Sequence, residues 1–102
     1  MKLQRIFSGN IAGISHRDID FTKVGLNDLL VLTPDPHNVY DSYAVGIIHQ
    51  SSGQDLGFMP AISTKAYHDA NANDFPVSAH IIEMNLAKRV ATITITILIA
   101  IE

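Results

Sequence analysis

Hydrophobic and polar residues alternate most regularly near the C-terminus, where threonine and isoleucine take turns from Thr92 to Ile97. A period of two places the isoleucines on one face of an extended chain, and β-branched residues favour the strand conformation. The uncharged stretch from Val90 to Ile101 is about half as long as a membrane-spanning helix. We therefore predict a strand and no membrane segment. The strand is expected either in the core or at a sheet edge, where it would pair with a second copy in a homodimer.

Similar patterns, interrupted by turns rich in glycine and proline, predict further strands and one helix. The helix is predicted over 62–72, where apolar residues recur at helical spacing behind a capping Ser63 or Thr64. The strands are predicted at 3–15, 29–33, 43–49, 55–59, 77–84 and 90–101. Six strands and one short helix favour a mainly β fold, a small antiparallel β-barrel of OB-like or SH3-like type. Periodicity does not choose between these two barrels.

Composition limits the classes of function. A chain of 102 residues that is 47% hydrophobic and 17% charged is expected to fold as a single domain over 1–102. Its net charge of -3 disfavours binding of long polyanions by charge alone. The absence of cysteine excludes a disulfide scaffold, a thiolate nucleophile and cysteine-based metal sites. An N-terminus without an apolar run of signal-peptide length predicts a cytoplasmic protein.

Candidate catalytic chemistry is sparse in this sequence. The five histidines lack the paired spacing that presents two imidazoles to one metal ion. There is also no glycine-rich phosphate loop and no Gly-x-Ser-x-Gly turn. Asp35, His37 and Asp41 crowd one loop, which leaves a metal-dependent hydrolase or nuclease as a weaker alternative. We predict a protein that is not an enzyme and that uses no cofactor.

The most informative stretch is residues 32–57, LTPDPHNVYDSYAVGIIHQSSGQDLG, followed by Phe58, Met59 and Pro60. A proline-stiffened turn with Asn38, Tyr40 and Asp41, then an alanine-led strand and Gly-Phe-Met-Pro, resembles the HIRAN domain. That family typically reads P-x-N-P-Y-D-x-N-A, a strand, and G-Y-L-P. Residues 11–16, IAGISH, are similar to the family's opening strand. The resemblance implies an OB-like barrel that captures the 3′ end of single-stranded DNA with its free 3′-hydroxyl, a function used in DNA repair at replication forks.

The resemblance also implies roles for individual residues. Tyr40 would stack on a terminal base, Asp41 would accept a hydrogen bond from the 3′-hydroxyl, and Asn38 would help to hold the end nucleotide. Stacking on an aromatic ring contributes about 1 to 3 kcal/mol per base without demanding a particular sequence. The carboxylate of Asp41 would favour a hydroxyl end and repel a phosphorylated one. The nucleic-acid-binding residues carried over or added in this way are His16, Arg17, Asn38, Tyr40, Asp41, Phe58 and Lys65.

The sequence departs from the family pattern at three positions. Val39 stands where proline precedes the tyrosine, Tyr43 where asparagine is usual, and Ala61 where a basic residue is frequent. Arg17 and Lys65 are the cations that could replace the missing one. An acidic chain with few cations predicts weak binding with a short footprint. The alternative is a protein-interaction module that dimerises through the C-terminal Thr/Ile strand.

Overall fold

The computed structural model describes residues 2–87 and 89–101. Within these ranges the chain forms six strands, one α-helix and two short 3₁₀ helices. The strands are β1 (Lys2–Asn10), β2 (Leu29–Pro34), β3 (Val45–His49), β4 (Asp55–Phe58), β5 (Val77–Asn85) and β6 (Thr92–Ile101). The helix α1 is Ala61–Ala72, and the 3₁₀ helices are Ile14–His16 and Phe21–Lys23. Neither α1 nor the shorter helices of the described part could cross a membrane.

The strands form one antiparallel sheet in the order β1-β6-β5-β2-β3-β4. The mainly β class is confirmed, but the closed barrel is wrong, because the ladders leave β1 and β4 as the two sheet edges. A single bridge joins β4 to the chain just after β1. In it, the amide of Ala12 donates to the carbonyl of Phe58 at 2.8 Å, and the amide of Phe58 donates to the carbonyl of Ala12 at 2.9 Å. In the described residues this is the only bridge outside the six strands, and it brings the β4 edge beside the chain that follows β1.

Strand β6 lies inside the sheet rather than at its edge. It pairs with β1 on one side and β5 on the other. The predicted alternation is confirmed, since Ile93, Ile95 and Ile97 are fully buried and pack with Ile47 and Leu56 in the core. Of the two positions expected for this strand, the one in the core is confirmed and the alternative at a sheet edge is wrong. Because both hydrogen-bonding sides of β6 are used, the homodimer expected through Val90 to Ile101 has no free strand edge here.

The first predicted strand is too long. β1 ends at Asn10, and Gly13 then takes a left-handed conformation at φ 79° that leads into the 3₁₀ helix. A left-handed residue turns the chain out of the sheet, and glycine adopts it without a steric cost. Ile11 before this turn and Ile14 after it are both buried, so the core holds the segment together with the bridge between Ala12 and Phe58.

The predicted start of the helix is nearly correct, but its cap is not. The capping position is Pro60, which has no side chain able to accept a hydrogen bond. The hydroxyls of Ser63 and Thr64 instead donate to the carbonyls of Pro60 and Ala61, at 2.7 and 3.0 Å. Both hydroxyls are therefore used on carbonyls within the first turn, and neither caps a free backbone amide.

A buried histidine joins the β3–β4 hairpin to the loop before β2. His49 is fully buried, and its Nε2 lies 2.7 Å from Oδ2 of Asp28, while its Nδ1 lies 2.5 Å from Oγ of Ser52. The backbone amide of Ser52 also points at Nδ1, so we assign the ring proton to Nε2, which donates it to Asp28. The Ser52 hydroxyl donates to Nδ1 and accepts from the backbone and side-chain amides of Gln54. The Ser52 hydroxyl therefore links His49 to Gln54 within the hairpin.

This network predicts a loss of stability in acid. Hydrogen bonds from His49 and from the amide of Gly25 hold the pKa of Asp28 below the ordinary aspartate value of 3.8. Since the folded pKa is depressed, the stabilisation is present above pH about 4 and is lost as the pH falls through the folded pKa. Thermal melts from pH 7 to 2 should show a smaller acid-induced fall in Tm for Asp28→Asn than for the wild type.

A second carboxylate needs a separate control. Hydrogen bonds from Thr22 also lower the pKa of Asp20. Melts of Asp20→Asn over the same pH range separate its contribution from that of Asp28. A wild-type and Asp28→Asn difference in Tm that does not change with pH would show that the Asp28 carboxylate is not linked to acid unfolding.

Candidate nucleic-acid interface

The loop between β2 and β3 is organised by its own polar side chains. Oδ1 of Asn38 accepts hydrogen bonds from the backbone amides of Tyr40 and Asp41, at 2.9 and 3.1 Å. Its Nδ2 donates to Asp35 at 3.2 Å. This is an Asx turn, in which a short amide side chain replaces backbone hydrogen bonds. Much of the hydrogen-bonding capacity of Asn38 is therefore used to shape the loop.

The Asx turn presents the next two residues differently. Tyr40 is 96% exposed, so its ring projects into solvent and can meet a ligand on a face. Asp41 is half-buried, and its Oδ1 accepts a hydrogen bond from the amide of Tyr43 at 2.8 Å. The carbonyl of Asp41 accepts from the amide of Ala44 at 3.1 Å. These contacts fix the position of the carboxylate relative to the start of β3.

Beside this loop the surface forms a concave pocket of about 220 Å³, which we call the loop pocket. It lies where the β2–β3 loop meets the end of β4 and the start of α1. Its lining residues are Asn38, Tyr40, Asp41, Ala44, Phe58, Met59 and Ala61. Four of the seven predicted binding residues thus meet at one open site. A ring, an amide and a carboxylate on one concave surface can stack on a base and accept a hydrogen bond from a sugar hydroxyl.

Phe58 connects the loop pocket to Arg17. The bridge between Ala12 and Phe58 brings the first 3₁₀ helix beside β4, and the Arg17 guanidinium carbon lies 5.2 Å from the centre of the Phe58 ring. This is a cation–π contact. Nε of Arg17 is also 3.2 Å from Oδ2 of Asp55, within ion-pair range although not aligned as a hydrogen bond. Arg17 therefore supports the Phe58 wall, and Asp55 offsets its charge.

His16 and Lys65 lie away from the loop pocket. His16 is exposed at the end of the first 3₁₀ helix and does not line the pocket. Lys65 lies on α1, where its Nζ donates to Asp69 at 2.7 Å, and both side chains are largely exposed. The hydrogen bond from Lys65 to Asp69 raises the pKa of the ammonium group, which stays protonated at neutral pH. An exposed pair of this kind contributes little to stability, so the lysine can exchange its partner.

A second pocket, of about 470 Å³, adjoins the first and was not predicted from the sequence. We call it the helix pocket, and it is lined by Tyr43, Ala61, Thr64, Lys65, His68 and Asp69. Tyr43 is 67% exposed, and its ring meets that of His68 edge to face at 5.9 Å. Lys65 and His68 are three residues apart on a predicted helix, which places them on one face. No pattern in the sequence shows that Tyr43 joins them.

The metal-site alternative finds no support in the described ranges. Within 2–87 and 89–101, no group of three or more histidine, aspartate or glutamate side chains is placed to hold a metal ion. Asp35 hydrogen-bonds to Asn38, and Asp41 to the amide of Tyr43, so these two carboxylates serve the turn. Their crowding in the sequence reflects the needs of the loop.

Comparisons with known proteins identify solved structures with a similar fold. No protein-family model matches the sequence, and no curated protein matches it. The HIRAN domain of human HLTF superimposes with a TM-score of 0.73 at 17% identity, covering 95% of this chain and 78% of that one. A protein from Lactobacillus plantarum superimposes with a TM-score of 0.79 at 12% identity, covering 96% of this chain and 95% of the other. The fold of this chain is therefore that of a HIRAN domain, as the sequence motif predicted.

Proposed function

We propose, on the premise of a HIRAN-like fold, that the protein binds the 3′-hydroxyl end of single-stranded DNA in the loop pocket and carries out no bond chemistry. The observation that carries the proposal is the meeting of Asn38, Tyr40, Asp41 and Phe58 around one open concavity. Tyr40 is exposed, as a ring that stacks on a base must be, whereas Asp41 is half-buried, which suits a carboxylate that holds a sugar hydroxyl. The exposed ring meets a base, and the half-buried carboxylate meets the terminal sugar.

The electrostatics of the site favour an end with a hydroxyl. A carboxylate accepts a hydrogen bond from a hydroxyl but repels a phosphate, and partial burial strengthens both effects. Of the nearby cations, Arg17 lies against Asp55 and Lys65 against Asp69. Of these two, only Lys65, whose exposed pair can exchange its partner, is available for a phosphate, so we expect few phosphate contacts and binding with a shallow dependence on salt. We therefore expect the protein to discriminate between 3′-hydroxyl and 3′-phosphate ends rather than to bind the DNA phosphate backbone tightly.

The test compares two forms of one short, 5′-labelled single strand, with a 3′-hydroxyl or a 3′-phosphate, by fluorescence anisotropy. A hydrogen bond to a charged group contributes about 1.5 to 3 kcal/mol, so the hydroxyl end should bind roughly 10-fold to 150-fold more tightly. Asp41→Asn should bring the two affinities together. Its side-chain oxygen can still accept from the amide of Tyr43, so the turn is preserved.

The comparison has two outcomes that contradict the proposal. Equal affinities of the wild type for the two ends would remove the role of Asp41. No binding of either strand would remove the single-stranded DNA function itself. A strand with a ribose at its 3′ end serves as a further comparison, because it adds a 2′-hydroxyl beside the same 3′-hydroxyl.

A further inference from the structure

The two pockets are neighbours. Ala61 lines both the loop pocket and the helix pocket, so the two concavities lie side by side at the start of α1. The loop pocket, at about 220 Å³, is the smaller, and the helix pocket is about 470 Å³. A ligand that extends beyond the terminal nucleotide therefore has a second concavity beside the first.

The helix pocket has an aromatic wall that is already held in place. Tyr43 exposes 67% of its surface, while Nε2 of His68 lies 2.9 Å from the Tyr43 carbonyl oxygen. The His68 ring also meets the buried Tyr67 edge to face at 5.3 Å. Tyr43 is thus fixed to the helix through its backbone while its ring stays accessible. A preorganised ring loses little conformational freedom when a base stacks on it.

Lys65 adds a cation to the same pocket. Its side chain is 86% exposed, and its ammonium group has Asp69 as a partner, in a pair that exchanges easily. An exposed ring beside an exposed cation is the combination that single-strand-binding proteins use for a base and its backbone phosphate. Tyr43 lies near the end of the β2–β3 loop, at the position where the family motif has asparagine, and Lys65 lies on α1. Tyr43 offers a ring for a base, and Lys65 offers the cation that is missing at Ala61, where the family often has a basic residue.

We propose that the helix pocket is a second nucleotide subsite, in which the base preceding the terminal one stacks on Tyr43 and its phosphate contacts Lys65. This inference rests on the proposed function, since it extends the same single strand. The bound unit is therefore a dinucleotide end, recognised by hydroxyl and stacking rather than by base sequence. Longer strands should gain nothing beyond the second base.

The test uses single strands with a 3′-hydroxyl that lack one base, either at the penultimate position or several nucleotides from the end. For the wild type, loss of the penultimate base should weaken binding roughly 5-fold to 150-fold, and loss of the distant base should have no effect. Tyr43→Ala should weaken binding of the intact strand by a similar factor. Because Tyr43→Ala has no ring for the penultimate base, it should bind the intact strand and the strand that lacks this base with equal affinity.

Two further variants control for indirect effects. Tyr43→Phe keeps the ring and should bind as the wild type does. Ile62→Ala removes a side chain that is 91% exposed on α1 but lines neither pocket, so it should also leave binding unchanged. The strands that lack a base test the wild-type protein directly, so the result does not depend on how any variant folds.

The outcomes separate this inference from the proposed function. If the wild type prefers the 3′-hydroxyl end but is indifferent to the penultimate base, the second subsite is wrong and the first stands. Unchanged binding by Tyr43→Ala would overturn the second subsite in the same way. If the wild type binds no strand at all, both proposals fall together.

Discussion

Gly57→Ala is expected to lower the free energy of unfolding by about 3 to 5 kcal/mol, enough to threaten folding in a domain of this size. Gly57 has φ 132°, a conformation that residues with a side chain rarely adopt, and strain of this kind costs about 1 to 3 kcal/mol. A Cβ atom here would lie 2.3 Å from the carbonyl oxygen of Ala12. That oxygen accepts one of the two hydrogen bonds joining Ala12 to Phe58, each of which stabilises by about 0.5 to 1.5 kcal/mol.

Gly53→Ala is the matched control. Gly53 also has a positive φ, of 75°, but a Cβ atom there meets nothing within 4 Å. Strain alone should cost about 1 to 2 kcal/mol. In a domain of this size, each 1 kcal/mol lost lowers Tm by about 4 to 8 °C. Thermal denaturation should therefore show a fall of about 12 to 40 °C for Gly57→Ala and about 4 to 16 °C for Gly53→Ala, and the fall for Gly57→Ala should be the larger of the two. Equal losses for the two variants would show that the contact with Ala12 does not hold the sheet edges together.

Tyr40→Ala is expected to weaken binding of a 3′-hydroxyl single strand by roughly 5-fold to 150-fold while leaving the fold intact. The ring is 96% exposed, so its removal should change the free energy of unfolding by less than about 0.5 kcal/mol. The backbone amide of Tyr40 donates to Oδ1 of Asn38, and this hydrogen bond is kept because it does not use the Tyr40 side chain. Anisotropy titration and thermal melts of the same samples measure the two effects.

The neighbouring residue is the control for Tyr40. Val39 is 89% exposed in the same loop but carries no ring, so Val39→Ala should bind and melt as the wild type does. Tyr40→Phe should keep most of the affinity, because stacking needs the ring and not the hydroxyl. A Tyr40→Ala variant that binds as tightly as the wild type would remove the proposed stacking partner and with it the role of the loop pocket.

Features that depend on neighbouring residues could be predicted well. The alternation of threonine and isoleucine defines β6, because a strand separates its two faces every second residue. Asn38, Tyr40 and Asp41 are close in the sequence, and the Asx turn that joins them needs no distant partner. The helix was predicted to within one residue of its observed start at Ala61, but its cap was not. Ser63 and Thr64 are residue types that cap helices, but here they lie inside the first turn and bond its carbonyls.

Features that depend on distant residues could not be predicted. The position of β6 between β1 and β5 depends on which strands pair, and a period of two is the same for an edge strand and a central one. The barrel prediction failed for a related reason. Pairing of β2 with β5 covers only Leu29↔His80 and Leu30↔Ala79, and closure of the sheet depends on curvature summed over all strands.

Local patterning alone therefore located the six strands and the helix, although it made the first strand too long and misassigned the helix cap, since these elements depend on backbone preferences over a few residues. Tertiary packing alone brought Phe58 to the loop and Tyr43 to His68, and it buried His49 against Asp28. The physical reason is that burial and long-range contact are properties of the whole chain. The sequence shows which groups a side chain can bind, but the folded structure determines which residues lie beside it.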